Sequence, residues 1–215
     1  DLYPDNAHFI YELLQNAEDA KNEHGKGANE ALFILSKNNL IFEHNGRAFN
    51  KRDIEAITDI GEGTKANDGD KIGRFGVGFK AVFAYSDTPQ IWSPTFSFKI
   101  EELVLPAELS KNCALGKKTQ FEFPFNNPKK PPSNAYAEIE TGLNGLKETS
   151  LLFLDHLETI QWKIDDRKGE ILRIQHSDNH FEVLKKIDGK ITTSSHFLKF
   201  SCPVDGLENQ KNSIA

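Results

Sequence analysis

The stretch that most constrains this chain runs from Ile60 to Ser93, IGEGTKANDGDKIGRFGVGFKAVFAYSDTPQIWS. Its first half is polar and glycine-rich, with neither a helical nor a strand period. It then passes through Gly73, Gly76 and Gly78 into an apolar helical run, Phe79 to Phe83. A loop feeding a helix N-terminus gathers unpaired backbone N–H groups at the positive end of the helix dipole, and glycines let a ligand approach the backbone closely. Such a junction suits phosphate. A flexible turn ahead of an ordinary helix leaves the same pattern, so the rest of the chain has to decide between them.

The clearest helix is expected from about His8 to Asn22, with Asp5 or Asn6 as its cap and Gly25 and Gly27 beyond its end. Phe9, Ile10, Leu13, Leu14, Ala17 and Ala20 share one broad arc, the core face. Glu12, Asn16 and Asp19 lie within about 60° of one another on the helix wheel, beside that arc, whereas Tyr11, Gln15 and Glu18 fall on the solvent side. A solvated face produces such a stripe, and so does the rim of a pocket. In the second case Asn16 offers a carbonyl oxygen to a hard cation and Glu12 a base for water.

A hairpin is predicted from Ala31–Ser36 and Leu40–Glu43, then a loop at His44–Phe49, then a short helix capped by Asn50. Strands follow at Gln90–Ser93, Thr95–Ile100 and Thr119–Phe125, where Phe121, Phe123 and Phe125 alternate onto one side of a sheet. A helix is expected at Ala135–Leu146. From Leu151 the chain alternates and is cut by turn signals such as Asp188-Gly189, a β-rich section. His156, His176, His180 and His196 occur there at irregular spacings and read as scattered polar or core residues rather than metal ligands.

The net charge of −6 argues against nucleic-acid binding by bulk electrostatics. No apolar run has the roughly 20 residues a membrane span needs. An intracellular, cytoplasmic or nuclear setting is the default expectation, and the opening Asp suggests a piece of a longer protein. The two cysteines, Cys113 and Cys202, match neither a zinc spacing nor a disulfide framework. Nothing forms a Ser-His-Asp or Cys-His nucleophile set.

Three separated segments, Glu12-Leu-Leu-Gln-Asn16-Ala-Glu-Asp19-Ala20, the loop at Asn45-Gly46, and Gly61-Glu-Gly-Thr64-Lys65 leading to Ile72-Gly73-Arg-Phe-Gly76-Val-Gly78-Phe79-Lys80, resemble in order and spacing the three boxes of the GHKL ATPases. Within that superfamily the wording is similar to the ATPase modules of sacsin and plant NO VEIN-type proteins. The shared wording includes HFIYELLQNAEDA, GEGTK, IGRFGVGFKAVF, DTPQIWS and LLFLDHLETIQW. The resemblance is strong over the first hundred residues and thin beyond about residue 165.

The resemblance implies a two-layer α/β sandwich of Bergerat type, with a mixed, mainly antiparallel sheet and helices on one face. Residues 1–150 would form the ATP-binding domain and 151–215 a β-rich extension. It implies ATP and magnesium as cofactors. Glu12 then matches the general base and Asn16 the magnesium ligand, with Asp19 supporting the site. Gly73, Phe75, Gly76, Val77, Gly78 and Phe79 match the phosphate-wrapping box, Thr64 and Lys65 the lid near the γ-phosphate, and Thr119 the strand threonine near adenine. The second box departs from the family's Asp-x-Gly-x-Gly, reading His44-Asn45-Gly46-Arg47-Ala48. A neutral imidazole accepts one hydrogen bond but brings no fixed charge, and Asn45 or Asp53 are alternative acceptors. The expected activity is slow ATP hydrolysis, with lid closure acting on other domains of a longer polypeptide or on a second copy of the chain. The alternative is a nucleotide-regulated binding module without turnover.

Overall fold

The computed structural model of the chain describes residues 8–58 and 78–200. Helix α1, His8–Asp19, buries Phe9, Ile10, Leu13, Leu14 and Ala17, as a 3.6-residue period requires. It stops short of Asn22 because the N–H groups of Ala20 and Ala28 both turn onto the Ala17 carbonyl, at 3.2 and 3.1 Å. Strands β1 (Glu30–Leu35) and β2 (Asn39–His44) pair antiparallel, with Phe33 opposite Phe42. Helix α2, Lys51–Thr58, opens on a reciprocal cap. The Asn50 N–H donates to Asp53 Oδ2 at 2.7 Å, and the Asp53 N–H donates to Asn50 Oδ1 at 3.1 Å.

The apolar run after Gly78 forms a 3₁₀ helix, Phe79–Ala84, rather than an α-helix. It is followed by β3 (Gln90–Trp92), β4 (Ser97–Glu101), β5 (Leu105–Glu108), β6 (Thr119–Pro124) and α3 (Pro132–Asn144), then β7 (Thr159–Ile164), β8 (Arg167–Ser177), β9 (His180–Ile187) and β10 (Lys190–Leu198). Strand β5 has no forerunner in the sequence reading. Its LPAE sequence does not alternate, and it lies at the sheet edge, where a proline is tolerated.

The strands form one ten-stranded mixed sheet in the order β10-β9-β8-β7-β1-β2-β6-β3-β4-β5. Only β1 and β7 run parallel, with Phe33 beside Trp162, and every other pairing is antiparallel. This corrects the expected two-layer α/β sandwich. The sheet dominates the described chain, whose α-helices are few, of 12, 8 and 13 residues. The reason lies in the tail. Each of β8, β9 and β10 is reached by a two-residue turn and hydrogen-bonds directly to the strand before it, so the sheet grows without a helix between strands. The last of these turns, Asp188-Gly189, has φ of 49° and 78°, the left-handed pair a tight hairpin needs.

One face of the central strands is apolar and buried, carrying Phe33 and Leu35, Leu40 and Phe42, and Phe121 and Phe123. Phe79 of the 3₁₀ helix seats its ring 6.0 Å from that of Phe121 and 6.1 Å from that of Phe123, which pins Gly78 over the sheet. Phe9 of α1 packs against Tyr85 at 4.9 Å, so α1 and the 3₁₀ helix are held side by side. In the stretch expected as a strand at Thr95–Ile100, Phe98 and Ile100 are buried, but Phe96 is exposed.

Candidate functional site

Helix α1 presents Glu12, Asn16 and Asp19, all half-buried, on successive turns beside its core face. The Glu12 carboxylate lies directly against the backbone of Gly78. A Cβ built at Gly78 would fall 1.9 Å from Glu12 Oε2. Only glycine leaves the carboxylate in that position. The other Glu12 oxygen faces His8 Nδ1 at 3.6 Å. Asp19 accepts a long hydrogen bond from Gln15 Nε2, at 3.4 Å. The first and third boxes of the sequence therefore meet at one contact, Glu12 against Gly78.

The second box is docked to the residues that directly follow this helix. The Arg47 N–H donates to the Ala20 carbonyl at 2.8 Å, Arg47 Nε donates to the Lys21 carbonyl at 3.0 Å, and a Cβ at Gly46 would meet Ala20 Cβ at 2.8 Å. The Arg47 guanidinium also grips Asp53 with two hydrogen bonds, at 2.7 and 3.0 Å. Asp53 is thereby fully engaged and is not an open acceptor. Asn45 is likewise committed. Its Oδ1 accepts from the N–H groups of Asn29 and Glu30 at 3.0 and 3.1 Å, tying down the start of β1.

His44 ends β2 and pairs in register with Thr119, the first residue of β6, so the two expected adenine-side residues are neighbours. Both are buried. The His44 ring lies 5.9 Å from Phe42 and 6.0 Å from Phe121, and its Nδ1 accepts the Gly46 N–H at 3.1 Å. Removal from water pulls its pKa from the usual 6.5 down to about 4, so the imidazole is neutral at physiological pH, with its proton on Nε2. The Thr119 hydroxyl bonds Ser93 Oγ at 3.2 Å, and Ser93 in turn accepts the Phe49 N–H at 2.9 Å. Phe79 is a core residue, 1% exposed. Thr64 and Lys65 of the expected lid, and Gly73, Phe75, Gly76 and Val77 of the expected phosphate-wrapping box, lie outside the described residues.

Glu18 departs from its expected solvent-side position. It is 5% exposed, and its two carboxylate oxygens accept the N–H groups of His156 and Leu157 at 2.8 and 3.0 Å. It fastens α1 to the LLFLDHL loop that leads into β7. The helix wheel had no access to this, because the partner loop lies 138 residues away in the chain.

A hollow of about 250 Å³ among the described residues borders the second box: His44 and Asn45 line it together with Glu30, Leu32, Glu43, Lys118, Gln161 and Glu170. Three carboxylates against one lysine make it a poor receptor for a polyphosphate. Glu12 and Gly78 are not among its lining residues.

A family model for the sacsin domain matches residues 1–101. The chain is sacsin-like over that span. The Arabidopsis thaliana protein named Protein NO VEIN is 41% identical over 47% of this chain, and human sacsin is 25% identical over 88% of it. The chain spans only about 4–5% of the length of these relatives. The sacsin-like span contains Glu12, Asn16, His44 and Gly78, so every residue of the Glu12–Gly78 contact falls inside the matched region. No helix among the described residues is long and apolar enough to cross a membrane.

Proposed function

We propose that this sacsin-like chain is a magnesium-dependent ATP-binding module of GHKL type that hydrolyses ATP slowly within a larger protein. The observation that carries the reading is the Glu12 carboxylate held against the backbone of Gly78, with Asn16 one turn further along α1. The oxygen donors present, a carboxamide and a carboxylate, suit a hard cation such as magnesium. Bound magnesium would neutralise phosphate charge. Asn16 would hold it through the carboxamide oxygen, while Glu12 would accept a proton from water and orient it. Gly78 keeps the room that Glu12 occupies. His44, neutral and donating through Nε2, and Thr119 beside it would face the base.

Calorimetric titration with ATP and with GTP, each with and without magnesium, tests the binding reading. Phosphate release compared with a Glu12→Ala control tests turnover. The expected result is magnesium-dependent ATP binding and a hydrolysis rate that disappears in the control. Absence of binding by any nucleotide defeats the proposal.

A second reading, binding without turnover, is favoured by one observation. With Asn45 and Asp53 committed internally, the second box supplies a neutral imidazole where the family has a carboxylate. Binding with no phosphate release above the Glu12→Ala control would select it.

A further inference from the structure

The histidines that look scattered in the sequence converge in the fold. His176 of β8, His180 and Glu182 of β9 and His196 of β10 meet on one face at the outer end of the sheet. Their imidazole centroids lie 5.0, 5.9 and 5.2 Å apart. Register explains the convergence. Glu182 pairs with His196 across β9 and β10. On the other side, β8 slips register between Gln175 and Ser177, and the extra residue at that bulge is His176. A bulge re-aims its side chain, here toward Glu182. The opposite face at this point is apolar, with Phe181 stacked on Phe197 at 5.6 Å.

We propose that His176, Glu182 and His196 form a binding site for a divalent transition-metal ion of the zinc class, with His180 as the partner that orients the His196 ring. The ligand atoms of the three residues lie within 4.8 Å of one another. His176 Nε2 is 3.1 Å from Glu182 Oε2, and His196 Nε2 is 3.9 Å from Glu182 Oε1. Tetrahedral zinc with bonds of about 2.0–2.2 Å sets its ligand atoms roughly 3.3 Å apart, so modest side-chain rotations close the site. Two imidazoles and a carboxylate leave a fourth position to water.

The outer shell is in place as well. His180 Nε2 lies 3.0 Å from His196 Nδ1, so a proton on Nδ1 shared with His180 leaves the His196 Nε2 lone pair free for the metal. Ser194 Oγ donates to Glu182 Oε1 at 2.7 Å and holds the carboxylate. Nitrogen-rich ligation favours zinc, nickel or copper over magnesium, so this site is distinct in chemistry from that of α1. An ion here ties the edge strand β10 to β8 across β9.

Titration of the folded chain with zinc, and with cobalt(II) read by its visible absorption, tests the site. The expected result is one equivalent bound at micromolar concentration, unchanged by excess magnesium, with a tetrahedral cobalt spectrum and a higher unfolding temperature in zinc. His176→Ala, Glu182→Gln and His196→Ala are each expected to weaken binding at least about tenfold, and His180→Ala to weaken it less. Circular dichroism checks that each variant remains folded, and His176→Gln serves where the alanine variant does not. Absence of zinc binding by the folded chain, or binding that all three ligand substitutions leave intact, overturns the proposal.

Discussion

Replacing Gly78 with alanine places a methyl group where the Glu12 side chain now lies. The new Cβ would fall 1.9 Å from Oε2, 2.4 Å from Cδ and 2.8 Å from Cγ of Glu12. Non-bonded heavy atoms settle at about 3.5–4.0 Å, so the carboxylate must withdraw by at least about 1.5 Å. The backbone has no reason to move. Gly78 sits at φ −69° and ψ −36°, a conformation open to alanine, and the group in the way is the end of a flexible side chain. Alanine also restricts the unfolded chain, a gain of about 0.4–1 kcal/mol. Unfolding free energy is therefore expected to change by no more than about 1 kcal/mol. A misplacement of about 1 Å at a reacting group costs on the order of 100-fold, so phosphate release should fall about 100-fold, toward the Glu12→Ala level. In the Glu12→Ala background, Gly78→Ala should add nothing, because both changes act on the same group. The assays are phosphate release at saturating magnesium-ATP and calorimetric unfolding, run on all four proteins. Parent-like turnover in Gly78→Ala, or a further loss in the double variant, refutes the reasoning. A stability loss of about 3 kcal/mol would refute the claim that Glu12 is the group that yields.

Glu18→Ala leaves the buried backbone N–H of Leu157 and the part-buried one of His156 without an acceptor. At about 1–3 kcal/mol for the buried group and less for the part-buried one, urea unfolding should report a loss of roughly 1–4 kcal/mol, with Glu18→Gln intermediate. A loss below about 0.5 kcal/mol would contradict the role given to this carboxylate. His44 makes stability depend on pH. Its pKa is about 4 when folded, against 6.5 for the free side chain, so the unfolded chain binds the extra proton between those values. Stability should fall as pH drops from about 6.5 to 4, by up to roughly 3 kcal/mol, and His44→Gln should lose that component. An identical pH slope in parent and variant would show that the ring does not titrate this way.

Local elements were legible where the signal is local. The Asn50 cap of α2, the Asp188-Gly189 turn and the apolar arc of α1 each depend on residues within a few positions, and each appears in the fold. The candidate site was legible in part for the same reason. Glu12 and Asn16 are one turn apart on a helix, and that spacing is visible in the sequence. Their meeting with Gly78 is not, because it depends on Phe79 docking onto Phe121 and Phe123 of β6. The extent of the sheet was also illegible. Alternation announces that β7 to β10 are strands but not which neighbour each will join, and the parallel pairing of β7 with β1 turns the tail into a continuation of the central sheet.

By itself, then, the sequence determined the helices, most strands, the tight turns and the residue types of the α1 stripe, since backbone propensity and side-chain period act over one or two turns. Tertiary structure alone decided that Glu18 is a buried acceptor and that Asn45 and Asp53 are already engaged. It also brought His176, Glu182 and His196 together across a bulge. These outcomes depend on which distant strand or loop supplies the partner. That choice is made by burial of the shared apolar face and by hydrogen-bond register, neither of which a short window of sequence contains.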